Sequence, residues 1–210
     1  FMSVIVAIFM GLTVSAEEII KDRKLLKREA FLNMSWNSYL LSKIVVQFLI
    51  SAGQAASFVA VGNSIFGIRG MWFEYWIVLF SCWATSNMMG LLISDSFKTV
   101  VTIYILIPFL VIPQIILSGI IVKYDKLNPN ISSPVSIPVY GEIIAARWGY
   151  EALAVDQFMN NRFEKKFYRY DKVISIAKFR KDIWYNEMKS ILSRMESNIE
   201  RERLRSEEHT

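Results

Sequence analysis

Three stretches of this chain carry no charged side chain, and each is about as long as a bilayer is thick. Residues 44–62 (IVVQFLISAGQAASFVAVG), 75–94 (YWIVLFSCWATSNMMGLLIS) and 99–122 (TVVTIYILIPFLVIPQIILSGIIV) contain no Asp, Glu, Lys or Arg. An α-helix rises ~1.5 Å per residue, so about 20 apolar residues cross the ~30 Å hydrocarbon layer. Lipid offers the backbone no hydrogen-bond partner, which leaves helices and closed barrels as the spanning structures. The competing arrangement, three buried helices of a large soluble core, would need three such runs close together, an unusual pattern. Composition adds little, because 53% hydrophobic residues lie only slightly above the roughly 45–50% of soluble domains. The expected fold class is therefore all-α integral membrane, a polytopic transmembrane helix bundle.

A fourth apolar run, residues 1–16 (FMSVIVAIFMGLTVSA), opens on Phe1. It has neither the basic flank nor the cleavage-like site of a signal peptide, and is expected to be the end of a span whose beginning lies upstream. At the other end, Arg205 to Thr210 resembles the translation of a sequencing-library adapter and is set aside as an artefactual tail; it carries the single histidine, His209. The single cysteine, Cys82, sits inside an apolar run, where a free thiol behaves as a small hydrophobe.

Polar zones alternate with the runs. Residues 17–39 set Ile19, Ile20, Leu25, Leu26 and Phe31 among charges, the pattern of an amphipathic surface helix. Lys21, Arg23, Lys24, Lys27 and Arg28 make this zone basic, and basic residues beside spans stay on the cytoplasmic side; a plain solvated loop that only orients the chain is the alternative. Counting outward, 44–62 leaves the cytoplasm and 63–74 is external. That connection carries Arg69 and Glu74, with Trp72, Phe73, Tyr75 and Trp76 where an interfacial aromatic belt belongs. Residues 75–94 return, a short turn around Asp95–Lys98 follows, and 99–122 goes out again with Pro108 and Pro113 inside, as a packing kink or a gate.

Residues 123–160 are then external. Pro129, Pro134 and Pro138 preclude long helices before residue 139, and 139–159 reads as one or two short helices packed on the outer face. Asn130-Ile131-Ser132 matches a glycosylation sequon, a short pattern that chance also produces. Residues 161–204 read as one polar helix with Val173, Ile176, Ile183, Trp184, Met188, Ile191, Leu192, Met195 and Ile199 on one face. Span counting puts this basic segment outside, against its charge, although long loops translocate largely regardless of charge.

No catalytic constellation is present: no phosphate-binding glycine loop, no dinucleotide fingerprint, no HExxH, no cysteine cluster, and hence no catalytic or metal-ligating candidate. Ser81 and Ser118 have no evident base and suit interhelical hydrogen bonding. The polar groups inside the runs are the neutral amides Gln47, Gln54, Asn87 and Gln114, which serve as helix-packing glue or line a substrate path. Ser51, Ala52, Gly53, Ala55, Ala56 and Ser57 would let one face of their helix approach a neighbour closely. Aromatic and basic residues mingle around Phe163–Tyr170, but interspersed acids favour an amphipathic surface helix over nucleic-acid binding.

The order of these parts resembles a known permease family. A span leads into Asp22-Arg23-Lys24-Leu25-Leu26-Lys27-Arg28-Glu29, and Ser38-Tyr39-Leu40-Leu41-Ser42-Lys43 enters the next span. Further on, Leu117-Ser118-Gly119 leads through Asp125-Lys126-Leu127-Asn128-Pro129 to Ile137-Pro138 and Arg147-Trp148-Gly149-Tyr150-Glu151-Ala152-Leu153. Over residues 1–160 this looks like the transmembrane half of type-2 ABC transporters, nearest the G-subfamily-like exporters that fuse ATPase and permease.

The resemblance implies a partial permease domain over 1–160, with spans near 1–16, 44–62, 75–94 and 99–122, a cytoplasmic amphipathic coupling helix and an external helical loop region. Residues 161–204 form a charged amphipathic segment beyond the basic pattern. The resemblance implies that Asp22, Arg23, Lys27, Arg28 and Glu29 meet the ATPase domain or hold neighbouring helices by ion pairs. It also implies a six-span unit with first and last spans outside this sequence, a second permease unit as dimer partner, and a bacterial inner membrane. ATP and Mg would sit on the fused or separate ATPase domain and no cofactor on this chain, which is not an enzyme by itself. The transported substrate is left open. Two other readings stay open: a membrane-embedded enzyme with catalytic residues in missing sequence, and a non-catalytic anchor or assembly protein.

Overall fold

The computed structural model describes residues 1–29, 35–68, 70–122, 124, 137–161 and 163–208. The Asp125–Pro129 stretch, the Asn130 sequon, Arg69, Phe31, Pro129 and Pro134 lie outside the described residues. The described part is helical, with no strand among the described residues. Two compact units divide the chain, Phe1–Asn161 and Arg162–Thr210.

In the first unit, helix α1 (Met2–Ser15) runs into the polar helix α2 (Glu18–Glu29). Helices α3 (Trp36–Phe66), α4 (Trp72–Ser96) and α5 (Val100–Ile116) follow, then the short α6 (Val139–Ile143) and α7 (Ala145–Asn160). Three helices are long and apolar enough to cross a bilayer: Met2–Glu29, Trp36–Phe66 and Trp72–Ser96. Helix α3, 31 residues and so about 46 Å long, extends past the uncharged run at both ends. Gly67, in the left-handed conformation with φ 65°, terminates it. The Gly67 and Ile68 amides donate to the Asn63 carbonyl there.

The helix expected over 99–122 stops at Ile116, after 17 residues. Pro113 has no amide to give the ladder, and Gly119 then turns the chain with φ 76°. Two hydroxyls satisfy carbonyls at this helix end: Ser118 Oγ donates to Ile115 O at 2.9 Å and Tyr124 donates to Leu117 O at 2.9 Å.

Helix α4 is the centre of the unit, packing against both α1 and α3. Against α1 the packing is backbone-close. A Cβ on Gly11 would lie 2.8 Å from Ser86 Cβ and 2.9 Å from the Trp83 carbonyl oxygen. One on Gly90 would lie 3.0 Å from the Leu12 carbonyl oxygen and collide with Ser15 Oγ. Such small-residue crossings bring membrane helices into dense contact. Around them Val4, Ala7, Ile8 and Leu12 pack with Leu79, Cys82 and Trp83.

Helix α3 meets α4 along Gln47, Ser51, Ala55, Val59 and Asn63, one residue per turn. Ser51 and Ala55 of the small-residue stretch therefore face the neighbour, but Gly53 points the other way with nothing within 4 Å. Only residues sharing the four-residue repeat can meet one straight partner. Trp76, expected in an interfacial belt, instead donates from Nε1 to Ala52 O at 3.2 Å and stacks on Phe80. Trp72 and Phe73 are exposed, as a belt requires.

The outward faces of α3 and α5 are apolar and open: Leu49 is 69% exposed, Val101 71% and Phe109 71%. An open apolar surface of that extent suits lipid, not water.

Helices α6 and α7 do not simply cap the bundle. Gly149 lies against Val4 and Cys82, where a Cβ would sit 2.6 Å from Cys82 Sγ. Cys82 is ten residues into α4, about 15 Å along its axis. The Ala146 amide donates to Gln114 Oε1 at 3.1 Å, and the Tyr75 hydroxyl donates to Gln157 Oε1 at 3.1 Å. This pair is thus inserted beside the half of the bundle remote from α2.

In the second unit a 3-10 turn (Glu164–Lys166) leads into α8 (Tyr168–Phe179), a π-helical stretch (Arg180–Trp184) and α9 (Tyr185–Glu208). The expected single helix is thus widened by one π turn. Trp184, Met188, Ile191, Leu192, Met195 and Ile199 are all exposed.

Candidate functional site

The densest set of long-range polar contacts gathers where α2 meets the ends of α3, α4 and α5. Helix α2 is polar because eight of its twelve residues, Glu18–Glu29, are charged; it lies beyond the apolar span formed by α1. Between α1 and α2 the regular ladder is interrupted. The Ala16 amide still donates to Leu12 O and the Lys21 amide to Glu17 O. Between them, the amides of Ile19 and Ile20 donate to Ser94 Oγ of α4, at 3.0 and 3.1 Å. A serine from another helix thus occupies the N-terminal turn of α2, where amides lack helical acceptors.

The same turn is tied at three further points. The Arg23 guanidinium donates to the carbonyl oxygens of Ser94, at 3.4 Å, and of Asp95, much closer. These carbonyls lie in the last turn of α4, where a cation is favoured by the helix dipole. Lys43 of α3 pairs with Glu18 and Asp22, each at 2.8 Å, and the Tyr39 hydroxyl donates to Asp22 Oδ2 at 3.0 Å. The Tyr104 hydroxyl of α5 donates to Glu17, which also pairs with Lys21. The Lys43 ammonium holds the Asp22 carboxyl below its usual value, against the opposing effect of burial, and Tyr39 adds to the lowering.

The five residues singled out on this helix therefore divide. Asp22 and Arg23 turn toward the bundle and are half-buried, whereas Lys27 and Arg28 are exposed and Glu29 is half-buried. Lys21, Lys24 and Leu25 are exposed as well. The helix is anchored through its first six residues and presents its second half outward. Sequence reading missed Ser94, Glu17, Glu18, Tyr39, Lys43 and Tyr104 as members of this cluster. Ser94 closes an uncharged run immediately before Asp95, a span-end hydroxyl that gives a weak signal; nothing in the linear order pairs it with residues 19 and 20.

The four amides are not brought to one place. Asn87 and Gln47 meet at the α3–α4 seam, where Asn87 Nδ2 donates to Ser51 Oγ at 2.6 Å and to Gln47 O at 3.3 Å. Ser51 Oγ in turn donates to Gln47 O at 2.7 Å. Gln47 Oε1 and Asn87 Oδ1 are buried without a hydrogen-bond partner among the described residues. Gln54 lies further along α3, and Gln114 joins α5 to α7 through the Ala146 amide.

At the opposite end Arg147 is 6% exposed. It pairs with Glu151 at 3.0 Å and Glu142 at 3.6 Å, and its guanidinium lies 4.5 Å from the Trp148 ring centre. A buried guanidinium with two carboxylates and an aromatic face is satisfied in place, so this element fixes the α6–α7 pair.

The profile of one protein family, ABC-2 type transporter, matches residues 1–158. No curated protein and no solved structure matches the chain.

Proposed function

The chain belongs to the ABC-2 type transporter family, and we propose on that premise that it works in an ATP-driven exporter whose power stroke enters through α2. As the membrane domain of such a transporter it is an integral membrane permease component. The family assignment covers the whole first unit apart from its last three residues.

One observation carries the reading of α2: its first turns are fastened to α3, α4 and α5, while Lys24, Lys27 and Arg28 remain exposed. A lever needs both a fixed end and a free one. ATP and Mg are held by an ATPase domain, fused or separate, that meets the exposed half of α2 on the cytoplasmic side. A second permease unit completes the pathway, and a bacterial inner membrane suits the basic α2. The chain's own side chains supply no reactive group in this scheme; they convert a push into a change of helix packing.

Site-specific photocrosslinkers at Lys27 and Arg28 of the full-length protein in membranes test the proposal. The expected product is an adduct with an ATP-binding domain whose yield changes when nucleotide is added. A crosslinker at Leu49, on the open face of α3, should give no such adduct. Equal yields from Leu49 and Arg28, or no ATP-binding adduct from either α2 position, would refute it.

A further inference from the structure

Helix α2 follows α1 in the chain, but its hydrogen bonds lead elsewhere. Where a continuous helix would join the Ile19 and Ile20 amides to carbonyls four residues back, both donate to the Ser94 hydroxyl of α4. A side chain inserted into a helical ladder is an established cause of kinks. Ser94 is fully buried, and its carbonyl and that of Asp95 are gripped by Arg23. Ser94 thus receives α2 through its side chain and is held by α2 through its backbone.

We infer that Ser94 is the positioning residue of the transport stroke: it forms the joint between α1 and α2 and ties motion of α2 to α4. The inference rests on the reading of α2 as the helix pushed by the ATPase. Two features favour transfer into α4 over transfer along the chain into α1. First, the covalent route passes through the interrupted ladder at residues 16–20, which transmits a bending force poorly. Second, the route through Ser94 ends on the helix that packs against both α1 and α3.

A cavity of about 290 Å³ adjoins the joint, lined by Ile19, Leu40, Met88 and Leu91 among others. It leaves room for α2 to shift without displacing packed side chains. Further along α4, Gly90 is locked to Ser15 and Leu12, and Asn87 reaches Ser51. A displacement of the last turn of α4 is therefore passed to both neighbours within two helical turns. Ser94 touches no ATPase; it acts by positioning α2.

Hydrogen exchange of the full-length transporter in lipid nanodiscs tests this, comparing the nucleotide-free state with the state trapped by ATP and vanadate. In the wild type, exchange over residues 18–23 and over 91–97 should change together on trapping. In Ser94→Ala the response over 18–23 should persist, and the response over 91–97 should fall at least threefold. Ser94→Thr keeps the hydroxyl and should restore it. Arg23→Ala removes only the guanidinium clamp and should lower the same response, which serves if Ser94→Ala fails to assemble. An undiminished response over 91–97 in Ser94→Ala or Arg23→Ala overturns the inference. A wild type without any response over 18–23 sinks the reading of α2 itself, and this inference with it.

Discussion

Helices α1 and α3 both pack on α4, yet they do so by different physics. The α1–α4 contact is made by absence of side chain: Gly11 and Gly90 let backbone meet backbone, with Ser15 seated over Gly90. Such a contact has one register, because displacement by a fraction of a turn puts Cβ atoms where the glycines are. The α3–α4 contact is made by side-chain hydrogen bonds from Asn87 to Ser51 and Gln47. Two amide oxygens there, Gln47 Oε1 and Asn87 Oδ1, are left without a partner among the described residues. Side chains can exchange partners, so this seam has alternatives that the glycine seam lacks. The difference teaches that the α1–α4 seam is fixed by backbone contact, whereas the α3–α4 seam is held by side chains that can change partners.

Substitution of Gly90 attacks the backbone-contact side and should have the largest effect. Gly90→Leu is expected to prevent assembly, and Gly90→Ala to cost about 1–3 kcal/mol as overpacking, read by thermal unfolding in detergent. Asn87→Ala attacks the hydrogen-bonded side. At about 0.6 kcal/mol per interhelical hydrogen bond in membrane proteins, losing two bonds should cost roughly 1 kcal/mol in the same assay. If Asn87→Ala proves as damaging as Gly90→Ala, the two seams are equally committed and the distinction fails.

Gly53→Ala provides the converse. The position has nothing within 4 Å and sits mid-helix, so alanine should stabilise by about 0.5–1 kcal/mol. A loss there would mean that this face of α3 is covered in the assembled transporter.

The smallest effect concerns pH. The Asp22 carboxyl titrates below its ordinary value of 3.8 because Lys43 stabilises the charged form. A depressed carboxylate contributes its stability fully above the ordinary value and loses it as pH falls through the lower folded one. Unfolding temperature should therefore be less sensitive to Asp22→Asn at low pH than at neutrality: the wild-type advantage is present at pH 7 and fades below about pH 4. An advantage that persists unchanged at pH 3 would show that the Asp22 contact contributes through packing and not charge.

Much of the architecture is legible in the residue order. Uncharged runs locate the spans because a charge in hydrocarbon is costly wherever it falls, and the basic run from Lys21 to Arg28 marks a segment between spans that cannot enter. Other features are not legible. The stretch from Ser51 to Ser57 advertises a close contact, but its glycine faces away, since helix phase and not composition selects the buried residues. The end of α5 at Ile116 depends on hydroxyls of Ser118 and Tyr124 arriving at the last carbonyls. The amides Gln47, Gln54, Asn87 and Gln114 look equivalent in the sequence, yet only Gln47 and Asn87 meet.

The sequence by itself determined that this chain lives in a membrane as helices, and that α2 is polar, because solvation energy is a property of each residue in turn. Only the tertiary structure decided which partners α2 holds. Ser94 lies more than seventy residues from Ile19 and Ile20, and hydrogen bonds depend on direction and distance that no linear order encodes.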